Sequence, residues 1–98
     1  MAEYRLTDRA RADLIDIYDF TENGFGAYQA EAYYAGLIRT FGLLADFPRI
    51  GQPVGELAAG YRRFRFQSHL IFYTGQADYI EIRAIVHGTQ DIRPQLFD

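Results

Sequence analysis

The chain has 98 residues, of which 49% are hydrophobic, so it has the length for one domain, spanning 1–98, and not for two separate cores. It contains no cysteine and no apolar run near the roughly 20 residues of a membrane helix, which excludes disulfides, thiolate metal sites and a membrane span. The net charge is −3 and every basic residue apart from histidine is arginine, which argues against direct binding to DNA. Because the N-terminus also lacks the features of a signal peptide, we expect a cytoplasmic protein.

The first elements that the sequence predicts are a short strand and an amphipathic helix. Tyr4–Leu6 is expected to be extended, Thr7 stands where a helix N-cap belongs, and Asp8 follows in the first turn. Apolar residues then recur at helical spacing, at Ala10, Leu14, Ile17 and Tyr18. Aspartates form the polar face between them, at Asp13, Asp16 and Asp19. The aspartates indicate a solvated face rather than a cation site. Asn23-Gly24 is expected to end the helix, since glycine is the usual stop.

A second amphipathic helix is predicted after the Gly24-Phe25-Gly26 break. Its apolar residues lie three and four positions apart, from Ala30 to Ala45, and Pro48 stops it. So short a link between two amphipathic helices predicts an antiparallel helical hairpin. Gly36 and Gly42 lower the propensity of this helix, and we interpret them as points of close approach to the first helix.

The remaining chain predicts a three-stranded antiparallel meander. An irregular connection over 48–60 leads into strands at Tyr61–Phe66, His69–Thr74 and Tyr79–His87, joined by tight turns. Strict alternation in the last strand would place Ile80, Ile82, Ala84, Val86 against the helices and Tyr79, Glu81, Arg83, Ile85, His87 on the opposite face. The predicted fold class is α+β, with a short N-terminal strand, a helical hairpin, and a meander that forms one sheet packed on the helices.

Arginine and histidine on the predicted sheet offer the only candidate chemistry. Arginine can stabilise a scissile phosphate, and histidine or tyrosine can move a proton, which fits a metal-independent ribonuclease built from Arg63, Arg65, Arg83, His87 and the nearby Tyr73. The simpler interpretation is structural, with the arginines paired to carboxylates such as Glu81. His69 and His87 lack the spacing of metal ligands, so no metal and no cofactor are expected.

Nearly the whole chain resembles the ParE toxins of the RelE/ParE superfamily, the toxic half of bacterial type II toxin–antitoxin pairs. The resemblance rests on the order and spacing of several short segments: Tyr4-Arg5-Leu6-Thr7, Asp13-Leu14, Gln29-Ala30, Pro48-Arg49-Ile50-Gly51, Gly60-Tyr61-Arg62-Arg63, Ser68-His69, Phe72-Tyr73 and Ile82-Arg83-Ala84-Ile85-Val86-His87. The predicted order of elements is also that of the family. One departure follows the last histidine, where many ParE toxins carry Met-Asp and this chain carries Gln90-Asp91.

The resemblance implies that the chain acts by binding and is not an enzyme. ParE toxins poison DNA gyrase, whereas RelE relatives cut mRNA on the ribosome. By resemblance Arg65, Arg83 and His87 are the expected target-binding residues, and the same three would be catalytic if the chain were a RelE-type endoribonuclease. The absence of lysine favours gyrase. A third possibility is a non-toxic member that acts only as a partner or co-repressor beside its antitoxin.

The resemblance also implies an antitoxin of the ParD type whose C-terminal segment wraps the toxin, in a heterotetramer or larger complex. The expected antitoxin-binding residues are aromatic and apolar positions of the hairpin with flanking arginines: Tyr18, Tyr33, Tyr34, Leu37, Phe41, Arg62 and Arg63. Aromatic and arginine side chains dominate interface hot spots. The alternative for each tyrosine is that it seals the edge of the core with its hydroxyl in water.

Overall fold

The helices lie side by side on one face of a single sheet in the computed structural model, which describes residues 2–89 and 92. The elements are β1 (Glu3–Leu6), α1 (Asp8–Phe25), α2 (Ala27–Asp46), β2 (Gln52–Pro53), β3 (Tyr61–Phe66), β4 (His69–Gly75) and β5 (Tyr79–His87). None of the helices within the described residues has the length and hydropathy to cross a membrane. The predicted α+β class and the order of strand, hairpin and meander are confirmed.

The sheet is larger than predicted, with five strands in the order β1-β5-β4-β3-β2. The N-terminal strand β1 pairs in parallel with β5, while the meander strands pair antiparallel. The additional strand is β2, which lies inside the connection that we expected to be irregular and pairs with β3 through Gln52 and Pro53. A two-residue strand with a proline at the sheet edge carries no alternation that a sequence pattern could reveal.

The junction between the helices lies at Gly26 and not at Asn23-Gly24. Helix α1 continues through Gly24 to Phe25, and Gly26 adopts φ 92°, which only glycine tolerates easily. The Gly26 N–H donates to the carbonyl oxygen of Glu22, so this carbonyl in the last turn of α1 has a hydrogen-bond partner. The chain therefore reverses direction at a single residue, and α2 begins at Ala27.

Gly36 allows α2 to approach the sheet closely, and not the first helix. A Cβ at Gly36 would overlap the ring of Phe66, which reaches α2 from β3. Gly42 has nothing within 4 Å of the position of its missing Cβ. Our interpretation of the two glycines as contacts to α1 was wrong, because Gly36 serves helix–sheet packing and Gly42 faces open space.

A β-bulge at Arg83 interrupts the alternation of β5. Phe72 of β4 lies opposite Ala84, but the next residue, Tyr73, lies opposite Ile82, so Arg83 has no partner in the register. Beyond the bulge Ile85 packs in the core beneath the helices with Ile80 and Ile82, whereas Ala84 and Val86 pack in a second core on the other face of the sheet. The predicted helix-facing set Ile80, Ile82, Ala84, Val86 was therefore wrong after residue 83.

Helix α1 supplies hydrogen bonds to the backbone around the bulge. The hydroxyl of Thr7 donates to the carbonyl oxygens of Ile82 and Arg83, at 3.2 and 3.1 Å, and also accepts from the N–H of Ala10 as the N-cap. The carboxylate of Asp13 accepts from the N–H of Ile85 at 2.9 Å. Asp13 was expected on a solvated face, but this contact fastens α1 to β5 because a partly buried N–H needs an acceptor.

The face of the sheet away from the helices is covered by the chain itself. Val54 and Leu57 pack there against Phe72 and the residues around it, and Tyr61 adds its ring. At the other end of the same segment the buried hydroxyl of Tyr73 donates to the carbonyl oxygen of Pro48 at 2.7 Å and accepts from the N–H of Gly51 at 3.0 Å. The segment 48–60 is thus part of the folded structure on both sides of β2.

We predict that Asp13→Ala lowers the free energy of unfolding by about 2 kcal/mol, because it leaves the Ile85 N–H without its charged acceptor. It also removes the ion pair with Arg9. Asp16→Ala on the same helix is the matched control, since Asp16 is exposed, and it should change stability by no more than about 0.5 kcal/mol. Urea unfolding followed by circular dichroism measures both. Equal values for the two variants would contradict the role given to Asp13.

Candidate functional site

An open groove with apolar walls runs along α1 between β1 and α2. Its volume is about 590 Å³, and it is lined by Leu6, Arg11, Leu14, Ile15, Tyr18, Asp19, Glu31 and Tyr34. Ile15 is 57% exposed and Tyr34 is 43% exposed, although both are large and apolar enough to be core residues. A groove that leaves such side chains in water is a candidate surface for binding another protein.

Two of the predicted antitoxin-binding tyrosines, Tyr18 and Tyr34, meet in this groove. Their rings contact edge to face with centroids 6.2 Å apart, one from each helix. The Tyr18 hydroxyl donates to the Glu31 carboxylate at 3.2 Å. Partial desolvation, together with the negative charges of Glu31, Glu22 and Asp19, raises the pKa of the Tyr18 phenol above its usual value. Tyr18 therefore remains a neutral hydrogen-bonding group beside an acidic cluster.

The other predicted hairpin residues do not lie in the groove. Leu37 and Phe41 have no exposed surface, because both point from α2 into the core beneath the sheet. They were wrongly placed on a binding surface, since periodicity shows that a residue is apolar but not whether a partner can reach it. Tyr33 is only partly buried, but its hydroxyl lies 2.7 Å from Nδ1 of His69, on another side of the hairpin.

Arg62 and Arg63 lie on β3, close to the opposite edge of the sheet from β1. Arg62 donates to the carbonyl oxygen of Gly51 at 2.7 Å, and Arg63 donates to the side-chain oxygen of Gln52 at 2.9 Å. Both guanidinium groups therefore help to hold β2 and the residues before it. Neither lines the groove, so the structure does not bring the predicted arginines together with Tyr18 and Tyr34.

The three predicted target-binding residues are split between the two faces of the sheet. His87 packs its ring against His69, with centroids 5.3 Å apart, on the side of the helices. Arg83 lies on the other face, where its guanidinium donates to the hydroxyl of Tyr61 at 3.0 Å and pairs with Glu81. Arg65 donates to the carbonyl oxygen of Gln67 in the β3–β4 turn.

This arrangement places Arg83 and His87, two of the groups that the ribonuclease alternative uses, on opposite faces of the sheet. Metal-free cleavage requires a base, an acid and a cation around one phosphate. His87 lies across the sheet from Arg83, and Tyr73 is completely buried with its hydroxyl engaged by backbone groups. The hydrogen bond to the Tyr61 hydroxyl is the main reason that the pKa of Arg83 lies above its usual value.

The histidines form a separate small pocket of about 340 Å³ at the end of the hairpin. Phe20 and Phe25 line it from α1 and are 71% and 70% exposed, and Tyr33, His69 and His87 form its inner wall. Burial, with a smaller effect from the charge of His87, lowers the pKa of His69 below the usual value. Among the described residues no group of three or more possible metal ligands is present at this pocket or elsewhere.

Most of the residues that shape the groove were not predicted from the sequence. Ile15 was overlooked because it falls outside the core spacing of α1, where Leu14 and Ile17 face the sheet. That position was itself a signal, since a large aliphatic residue off the core stripe has no structural reason to be there. Arg11 and Glu31 gave no signal, because exposed charges on helices are ordinary.

Sequence comparison places the chain beside known toxins. The sequence profile described as ParE toxin of type II toxin–antitoxin system, parDE, matches residues 4–92. A protein named Toxin ParE1 from Caulobacter vibrioides is 40% identical over 96 residues, covering 98% of this chain and 99% of the relative. Another protein named Toxin ParE1, from Mycobacterium tuberculosis, is 34% identical over 93 residues, covering 93% of this chain and 94% of the relative.

Structural comparison agrees on the fold. The solved structure titled as the chromosomal ParDE TA system from P. aeruginosa contains a chain that superposes with a TM-score of 0.77. The match covers 89% of this chain and 96% of that chain, at 20% sequence identity. At this identity the likeness extends to the arrangement of helices and sheet and not to individual site residues.

We predict that the protein loses stability as the pH falls below the ordinary histidine pKa of 6.5, in part through His69. Its pKa is lowered in the folded state, so the unfolded chain binds the proton more readily, and the contribution present above 6.5 is lost as the pH drops through the lowered value. Urea unfolding at about pH 7.5 and about pH 5 measures the effect. His69→Gln should have a shallower pH dependence, whereas an identical slope would contradict the role of His69.

Proposed function

The chain belongs to the ParE toxin family of type II toxin–antitoxin systems, and from this membership we propose that it arrests growth by inhibiting DNA gyrase and is neutralised by a ParD-type antitoxin bound along α1. The apolar groove lined by Ile15, Tyr18 and Tyr34 is the observation that carries the antitoxin half of this proposal. We further propose that toxin and antitoxin assemble as a heterotetramer or larger complex.

The groove has the size and composition that antitoxin binding needs. A volume of about 590 Å³ along a helix accommodates several side chains of a partner segment. Ile15 supports this most directly, since burying an exposed isoleucine contributes roughly 1.5–3 kcal/mol. Leu6 at the floor of the groove supplies further apolar surface at a fixed position, because it also contacts the folded core.

Two observations favour gyrase over mRNA as the target. Arg83 and His87 lie on opposite faces of the sheet, so a cleavable phosphate would not meet this base and this cation together. In addition, the net charge of −3 gives no general attraction for RNA. Inhibition by contact between protein surfaces requires neither feature. The split arginines then serve as separate contact points or as supports of the sheet.

We predict that Ile15→Asp weakens antitoxin binding by at least roughly tenfold, because it places a charge where an apolar anchor is expected. The probe is the ParD-type antitoxin encoded in the reading frame beside the toxin gene, and calorimetry measures the dissociation constant. Ile50→Asp is the matched control, since Ile50 is 46% exposed and lies outside the groove.

In cells, the antitoxin should rescue growth from Ile50→Asp but not from Ile15→Asp. Equal binding by the two variants would remove the groove as the antitoxin site. Circular dichroism must show that both variants are folded, and because both side chains are exposed, neither change should lower stability greatly.

We predict that Arg83→Ala combined with His87→Ala leaves gyrase inhibition of the same order as that of the unchanged toxin. A nuclease deprived of a proton-transfer group and a cation would lose about a hundredfold or more. Supercoiling by purified gyrase and cleavage of mRNA on translating ribosomes are measured side by side. Retained antitoxin binding shows that the double variant is folded.

Expression without antitoxin provides the cellular counterpart of this test. A DNA-damage response with gyrase trapped on cleaved DNA is expected, with translation affected later. A prompt stop in translation with cut mRNA, abolished by the double variant, would replace gyrase inhibition by ribosome-dependent cleavage. An absence of any growth effect would identify a non-toxic partner of the antitoxin.

A further inference from the structure

The two ends of the groove carry opposite charges. Arg11 lines one end, while Asp19 of α1 and Glu31 of α2 line the other. Arg11 and Asp19 are eight residues apart on one helix, which corresponds to about 12 Å along its axis. Within residues 2–89 neither Arg11 nor Asp19 forms an ion pair, so both charges are available to a partner.

The negative end is a cluster rather than a single carboxylate. Glu22 follows Asp19 by three residues, close to one turn further along α1, and Glu31 faces them from α2, where it accepts a hydrogen bond from the Tyr18 hydroxyl. The raised pKa of Tyr18 reflects the charges of all three carboxylates after the effect of desolvation. A basic side chain of a partner would therefore meet several acidic groups at once, next to the apolar part of the groove.

We propose that the groove selects an amphipathic helix of the antitoxin that carries an acidic side chain at the Arg11 end and a basic side chain, about eight residues away, at the Asp19–Glu31 end. This inference rests on the proposed function and adds the chemistry of the partner. Charge complementarity between the two ends decides which antitoxins fit, while the apolar contacts at Ile15 and Tyr34 supply affinity.

A helix fits this groove better than an extended segment. The groove is bounded by two packed helices, and an amphipathic helix presents anchors three and four residues apart that match such a surface. Two turns of helix span the distance of about 12 Å between the charged ends. An extended segment would cover it with only about four residues, of which alternate ones would face the groove.

Charge at the rim of an interface acts mainly on specificity. A partner with the correct pair of charges gains modest attraction in water, but a partner with the reverse charge at either end places like charges together and loses affinity. The position of Arg11 and Asp19 at the ends of the groove, on either side of exposed Ile15, suits this role. Related antitoxins that share the apolar anchors could then be rejected by their charges alone.

The first experiment reverses each end of the groove. Arg11→Glu and Asp19→Arg are each expected to weaken binding of the antitoxin from the adjoining reading frame by roughly tenfold. Arg39→Glu and Asp16→Arg are matched controls, since both residues are exposed on the same helices and outside the groove, and they should change binding less than about twofold. Effects equal to those of the controls would overturn the inference.

The second experiment identifies the preferred partner without assuming a particular antitoxin. A displayed library of helical peptides keeps one apolar stripe and varies two rim positions eight residues apart among acidic, basic and neutral side chains. Selection on the unchanged toxin should enrich pairs of opposite sign, and selection on Arg11→Glu should enrich two basic residues. Enrichment without regard to charge, or only in extended peptides with four-residue spacing, would contradict the proposal.

The outcome at Ile15 separates this inference from the proposed function. If Ile15→Asp abolishes antitoxin binding while both charge reversals behave like their controls, the groove is the antitoxin site but its polarity has no role. If Ile15→Asp and the reversals are all without effect, the antitoxin binds elsewhere and the proposed function loses its site. Salt titration adds a further check. The contribution of the rim charges to binding should fall as ionic strength rises, and that of the Ile15 contact should not.

Discussion

One extra residue in β5, the bulge at Arg83, determines which side chains face each side of the sheet. Without it Ile85 would point away from the helices and Val86 toward them. The bulge is possible because α1 offers hydrogen-bonding partners to the backbone around it, through the hydroxyl of Thr7 and the carboxylate of Asp13. Helix position and strand register therefore depend on each other, and the core forms only when both are correct.

The same bulge separates residues that a regular strand would have placed together. In a strand of strict alternation Arg83 and His87 lie on one face, four residues apart, as a catalytic pair would require. In this fold Arg83 points to the far face with Tyr61 and Glu81, and His87 points to the pocket beside His69. A change of one residue in register thus places these two side chains on opposite faces of the sheet.

Local signals in the sequence predicted the helices and strands well. Contacts between residues far apart in the sequence could not be predicted, because no local pattern encodes them. Capping at Thr7 and the spacing of Leu14 and Ile17 predicted α1, since these are short-range effects. The bulge could not be predicted, because apolar and charged residues alternate from Ile80 to Ala84 and the apolar Ile85 and Val86 fit either register. The backbone there is held by Asp13, 72 residues away in the hydrogen bond to Ile85. The groove was half predicted, through Tyr18 and Tyr34, because its other lining residues come from β1, α1 and α2 and only the fold brings them together.

The fold keeps the surfaces that stabilise it apart from the surface that it offers to a partner. The far face of the sheet is closed by Val54 and Leu57, so its apolar residues are used in folding. On α1, Ala10 and Leu14 are buried while Arg11 and Ile15, one position further on, lie in the open groove. Because adjacent helix positions point about 100° apart, the exposed groove residues Arg11 and Ile15 can change without altering the core. If the groove is the antitoxin site, as we propose, substitutions there can give a new antitoxin preference while the fold, held by the α1–β5 contacts, remains the same.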